Sequence, residues 1–163
     1  MTICRRALAT IATAVALSAT GCSDKPDHDR RIKVDCSQTS ATTVEEFARA
    51  PLPASATSLE VFCEGFMDTF VRARIVMPRR ALRGFLREAD FSAPPRRGSR
   101  PVGERENDPP SWQIKRAEHV LGHQEDCMNV DTQACASGLA GRAVVVDLDD
   151  RRRAIVYLRA FTS

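Results

Sequence analysis

Apolar and polar positions alternate through the middle of the chain. Leu59, Val61 and Cys63 alternate with Glu60, Phe62 and Glu64; Val71, Ala73, Ile75 and Met77 then alternate with Phe70, Arg72, Arg74 and Val76. A period of two places each set on one face of a half-buried strand. Only Gly65 to Asp68 separates the runs, too little chain for a crossover, so the two strands are predicted to be antiparallel. The period then changes. Pro78 stands where a first helical residue lacks nothing by lacking its N–H. Leu82, Phe85, Leu86 and Ala89 follow at i, i+3, i+4 and i+7, with Arg79, Arg80, Arg83 and Arg87 mostly on the opposite side. That spacing predicts an amphipathic helix laid on a sheet.

Upstream, Thr43-Val44-Glu45-Glu46 has capping-box spacing, with Val44, Phe47 and Ala48 on one face before Pro51 stops the turn, which predicts a short helix. Residues 92–111 hold five prolines, two glycines, four arginines and Val102 as their one aliphatic, the composition of a long exposed loop. Trp112, Ile114, Val120 and Leu121 restore apolar content without a clean period, so 112–126 reads equally as strand or short helix. Ala143–Leu148 and Ala154–Phe161 are β-rich and flank the polar turn Asp149–Arg152. In the second of these, Val156 and Leu158 take one face and Ile155, Tyr157 and Phe161 the other, which suggests a central strand. The expected fold is α+β: an antiparallel sheet of four to five strands, one main amphipathic helix packed on one face, and a C-terminal β-hairpin.

The N-terminus carries a different pattern. Arg5 and Arg6 precede an apolar run from Ala7 to Leu17, and Ser18-Ala19-Thr20-Gly21-Cys22 closes it. About a dozen apolar residues suit an export signal, where a membrane span needs roughly 20. Small residues directly before a cysteine resemble the lipobox of bacterial lipoproteins, with Ala19 standing where leucine is more common. The resemblance implies cleavage before Cys22 and a diacylglyceride, with palmitate-type acyl chains, on its sulfur. The expected organisation is an export signal at 1–21, a lipidated N-terminus and tether at 22–42, and one domain at 43–163. Residues 22–40 are too polar to repay ordering, and about 18 residues of flexible coil span roughly 25 Å. Such a chain would sit outside the cytoplasmic membrane, anchored to its outer face. Arg5-Arg6 also partly resembles a twin-arginine signal, leaving the export route open between that and the general secretory one.

Charge and cysteine content refine this picture. Loss of Arg5 and Arg6 with residues 1–21 takes the formal charge from +3 to +1, so nothing demands nucleic acid. Cys4 leaves with the signal and Cys22 carries lipid, which leaves an even four: Cys36, Cys63, Cys127 and Cys135. Oxidising surroundings favour disulfides, and four cysteines permit three connectivities; Cys36 with Cys63 and Cys127 with Cys135 is the one expected. His119, His123, Cys127 and Cys135 would offer tetrahedral zinc a ligand set if 112–127 were helical. Export disfavours the thiolates this needs, so no metal and no cofactor is expected.

The densest positive cluster is Arg79, Arg80, Arg83 and Arg87, continued by Arg96, Arg97 and Arg100. Guanidinium forks pair with phosphate, making an anionic lipid or wall polymer the expected partner beside the bilayer itself. No G-x-S-x-G elbow, P-loop, H-E-x-x-H or dinucleotide fingerprint occurs, and no catalytic residue is singled out. A binding or accessory module is therefore favoured over an enzyme. The alternatives are a cell-envelope hydrolase, which would need a polar cleft joining His119 or His123 to a serine and a carboxylate, and a soluble secreted structural domain.

Pro51-Leu52-Pro53-Ala54-Ser55-Ala56-Thr57, Phe66-Met67-Asp68-Thr69, Met77-Pro78, the lone Trp112 and the ending Val156-Tyr157-Leu158-Arg159-Ala160-Phe161-Thr162 together resemble a group of uncharacterised lipoproteins of actinobacteria. The resemblance covers residues 43 to 163. It implies the same address and a small α+β domain but no activity, and Cys127 and Cys135 fall outside its pattern.

Overall fold

The computed structural model describes residues 35–37, 39–65, 68–99, 112, 117–130, 132, 133, 135 and 138–162. The export signal, Cys22 and the tether as far as residue 34 lie outside the described residues, as do 100–111. In order come α1 (Ala41–Phe47), β1 (Ser58–Gly65), β2 (Thr69–Pro78), a 3-10 turn (Arg79–Ala81), α2 (Leu82–Glu88), β3 (Arg96–Arg97), β4 (Val120–Asp126), β5 (Gly141–Asp147) and β6 (Arg153–Phe161).

The strands form one antiparallel sheet in the order β1-β2-β6-β5-β4-β3. Register fixes its two faces, because residues paired directly across an antiparallel ladder point the same way. Ile75 lies opposite Leu59 and Val156, and Val156 opposite Val146, so these share a face with Val61, Ala73 and Leu158. Both helices cover this face: Val44 and Phe47 of α1 and Leu82 and Phe85 of α2 are buried against it. Each large apolar side chain removed from water there contributes about 1.5–3 kcal/mol.

This architecture corrects the expected one. The sheet has six strands, and two helices of seven residues each replace a single main helix. The period of Leu82, Phe85, Leu86 and Ala89 is real but short-lived. The chain enters it through a 3-10 turn, and Asp90 leaves it at φ 49, where a right-handed helix cannot continue. One such helix covers too little of the sheet, and α1 covers more of it. α1 itself starts at Ala41 with Ser40 as N-cap, and the Ser40 backbone N–H donates to Thr43 Oγ1 at 3.1 Å. The two further strands come from stretches with weak periodicity. β4 lies within 112–126, its alternation blurred by Gly122, and β3 within the proline-rich 92–111.

The opposite face carries a smaller apolar group of Trp112, Ala117, Val120, Val145 and Tyr157. Glu60 ties it to the sheet: Oε2 accepts from the Trp112 indole N–H at 3.0 Å and Oε1 from Arg74 Nη1 at 2.6 Å. The Trp112 ring meets Phe62 edge-on at 5.4 Å and Tyr157 at 5.8 Å. Burial pushes the Tyr157 phenol up, against the opposing hydrogen bond and charge of Arg74. Tyr157 is the chain's one tyrosine, so its ionisation can be followed directly by ultraviolet absorbance. The folded protein should form tyrosinate with a midpoint above the ordinary 10.0. The unfolded chain loses this proton first, so stability should decline as pH rises beyond that value. Coincident midpoints for the folded and the denatured protein would show a solvated ring instead.

Candidate functional site

On the helix-covered face, β5 continues the inward series of Val144 and Val146 with Arg142, which is 0% exposed. A buried guanidinium survives only with hydrogen-bond partners, and each of its three nitrogens has at least one. Nε donates to Glu125 Oε1 on β4; Nη1 donates to the carbonyls of Ala89 at 2.6 Å and Ala48 at 3.5 Å; Nη2 donates to the carbonyl of Asp90. Ala48 and Ala89 are the C-caps of α1 and α2. One side chain thus satisfies carbonyls that both helices leave unpaired, where each macrodipole is negative. The chain leaves both helices the same way, with Arg49 at φ 51 and Asp90 at φ 49. The Arg142 guanidinium also lies 4.2 Å over the Phe91 ring.

Glu125 is as enclosed as its partner. Burial raises its carboxyl, but the Ser92 backbone N–H, donating to Oε2 at 2.8 Å, and Arg142 more than offset this and hold it below the usual range. His123, two residues before Glu125 on the same face, places Nε2 at 3.2 Å from Ser92 Oγ and 3.6 Å from Glu125 Oε2. Serine, histidine and carboxylate therefore do meet. A nucleophile relay, however, needs hydroxyl and carboxylate on opposite ring nitrogens, and here both approach Nε2 while Arg142 holds the carboxylate. This group is suited to locking the Phe91–Ser92 turn onto β4 rather than to activating Ser92.

His119, His123 and Cys127, which a helix would stack on one face, lie instead on and beside the extended strand β4. Four residues of helix span about 6 Å, whereas four of extended chain span about 13 Å. His119 precedes β4 and binds the β5–β6 turn, its Nδ1 lying 3.2 Å from Asp149 Oδ1. The backbone N–H groups of His119 and Glu118 both donate to the Asp149 carboxylate, holding its pKa down. Cys127 and Cys135 form a disulfide, and so do Cys36 and Cys63. Glu125, Cys127 and Cys135 bring potential ligand atoms within 4.8 Å of one another. The sulfurs are bonded to each other, though, and Glu125 is already bound to Arg142.

A concavity of about 480 Å³ lies between α2 and the loop that follows it. Leu82 and Leu86 from α2, Phe91 and Pro95 from the loop, and Leu148 from the β5–β6 turn give it an apolar floor. Arg79, Arg83 and Arg87 stand along one side, all exposed. Arg79 Nη1 reaches the Leu148 carbonyl at 3.5 Å and Arg87 an exposed Glu88 at 3.5 Å; among the described residues Arg83 pairs with no acid. Of the arginines expected to bind anions, three thus line one groove, while Arg80 is exposed outside it. Arg96 and Arg97 lie on the edge strand β3, and Arg100 is outside the described residues.

Arg142 and Glu125 escaped the sequence reading, although parity could have found them. Extending the β-rich stretch Ala143–Leu148 back by one residue places Arg142 on the apolar face with Val144 and Val146, and such an arginine calls for a buried acid. No protein-family model, no curated protein and no solved structure matches this chain.

Proposed function

We propose that the chain is a lipid-anchored extracytoplasmic binding or accessory module, held at the outer face of the membrane through a diacylated Cys22. Cysteine pairing is the observation that carries this reading. Cys36, Cys63, Cys127 and Cys135 are all taken up in two disulfides, so a chain cut ahead of Cys22 has one unbridged sulfur, at its new N-terminus and behind a lipobox-like run. Paired cysteines suit an oxidising compartment, and two acyl chains anchor stably where one does not. Among the described residues no helix is long and apolar enough to cross a membrane. The groove beside α2 supplies the binding function. A soluble secreted domain would share the disulfides but leave Cys22 unmodified.

Detergent phase separation of membrane extracts tests the anchor. The parent should enter the detergent phase and Cys22→Ser the aqueous phase, and the intact mass of the parent should include a diacylglyceride. If both proteins stay wholly in the aqueous phase, the anchor reading is wrong.

A further inference from the structure

We propose that the groove beside α2 takes one acyl chain of an anionic membrane lipid along its apolar floor, with the lipid phosphate bound by the guanidinium groups of Arg79 and Arg83. The inference rests on reading this groove as the ligand site of the module. Its volume of about 480 Å³ lies within the range of roughly 300–1,000 Å³ typical of small-molecule sites, enough for one chain and too little for a whole two-chain lipid.

Charge and hydrogen-bonding chemistry narrow the occupant. Three arginines and one acid, Asp90, line the groove. Arg83 and Arg87 lie four residues apart on α2, about 6 Å along its axis, and Arg79 precedes them in the 3-10 turn that leads into it. A neutral apolar guest would draw water from these guanidiniums without compensation. A small inorganic anion would leave Leu86, Phe91 and Leu148 uncovered.

An extended acidic peptide fits less well, because it needs partners for its own backbone. One wall is α2, whose peptide groups bond within the helix and whose final carbonyls are held by Arg142. The other wall includes Pro94 and Pro95, which have no N–H to give. A hydrocarbon chain asks for no such partner. Phe91 in the apolar floor is backed by the Arg142 guanidinium, 4.2 Å over its ring.

Calorimetric titration of the full Cys22→Ser chain with alkyl phosphates below their micellar concentrations tests this. The attached lipid is then absent, so the result is independent of whether Cys22 is acylated. Affinity should rise about fourfold for each methylene between butyl and decyl phosphate, the value expected for burying a CH₂ group. Arg83→Ala should weaken decyl phosphate about tenfold, as loss of a charged hydrogen bond implies. Leu86→Asp should flatten the dependence on chain length, with circular dichroism confirming that both variants remain folded. Three results would overturn the proposal: affinity independent of chain length, which marks a plain anion patch; equal binding of neutral decyl maltoside; or tighter binding of an acidic apolar peptide than of decyl phosphate. Groove binding together with an aqueous parent would sink the anchor and leave the lipid site standing.

Discussion

Arg142→Met should destabilise the protein by about 3–5 kcal/mol, the cost of removing one partner from a buried ion pair, and lower its melting temperature on the order of 10–20 °C. The side chain is fully buried and holds Glu125 together with the last carbonyls of both helices. Its loss strands a carboxylate and leaves three carbonyls without this donor. A double variant separates these roles. Glu125→Leu with Arg142→Met removes both charges and should regain part of the loss, yet it should stay below the parent because the carbonyls of Ala48, Ala89 and Asp90 still lack their donor. Full recovery in thermal melts would reduce Arg142 to a counter-ion and remove its capping role. The depressed Glu125 pKa adds a pH signature. Its contribution is complete above the ordinary carboxyl value of 4.5 and disappears as pH falls through the lower folded value. The parent should therefore lose stability below that pH, and Glu125→Gln should be less stable at neutrality but respond less to acid.

Arg142 also shows why parts of this fold were hidden in the chain. Strands with clean alternation announce themselves, and β1 and β2 do so because each keeps one apolar parity from end to end. β4 does not: Leu121, His123 and Glu125 share the helix-covered face, and only Leu121 is apolar. Its inward polar residues are matched by tertiary partners, Ser92 and Arg142, which no local window contains. The same long-range pairing ends the helices, since Arg142 lies 94 residues from Ala48. The arginine row running from the 3-10 turn into α2 was readable from its spacing. The groove was not, because Pro94, Pro95 and Leu148, which complete its lining, are brought in by the turn at Phe91 and by the β5–β6 connection.

Opening the Cys36–Cys63 disulfide should produce the second large loss. It closes 27 residues of chain, against eight for Cys127–Cys135. Chain entropy then assigns about 3.6 kcal/mol to the first and about 2.5 kcal/mol to the second. The effect should also be localised. Cys36 lies just ahead of α1, and Cys63 is on β1, one of the two edge strands of the sheet. A seven-residue helix is far below the length that persists alone in water. Without the bridge, α1 depends on Val44 and Phe47 packing against the sheet and on Arg142 holding the Ala48 carbonyl. Cys36→Ser with Cys63→Ser should therefore strip hydrogen-exchange protection from α1 amides well before those of β5 and β6. Cys127→Ser with Cys135→Ser should leave α1 protected and loosen the β4–β5 connection instead. Equal loss of protection across α1 and the central strands in the first variant would mean that the bridge supports the whole sheet, not the docking of α1. If Cys22 anchors the chain, Cys36 is where the tether meets the domain, and the bridge delivers any pull from the membrane to β1 rather than to a short helix unable to bear it.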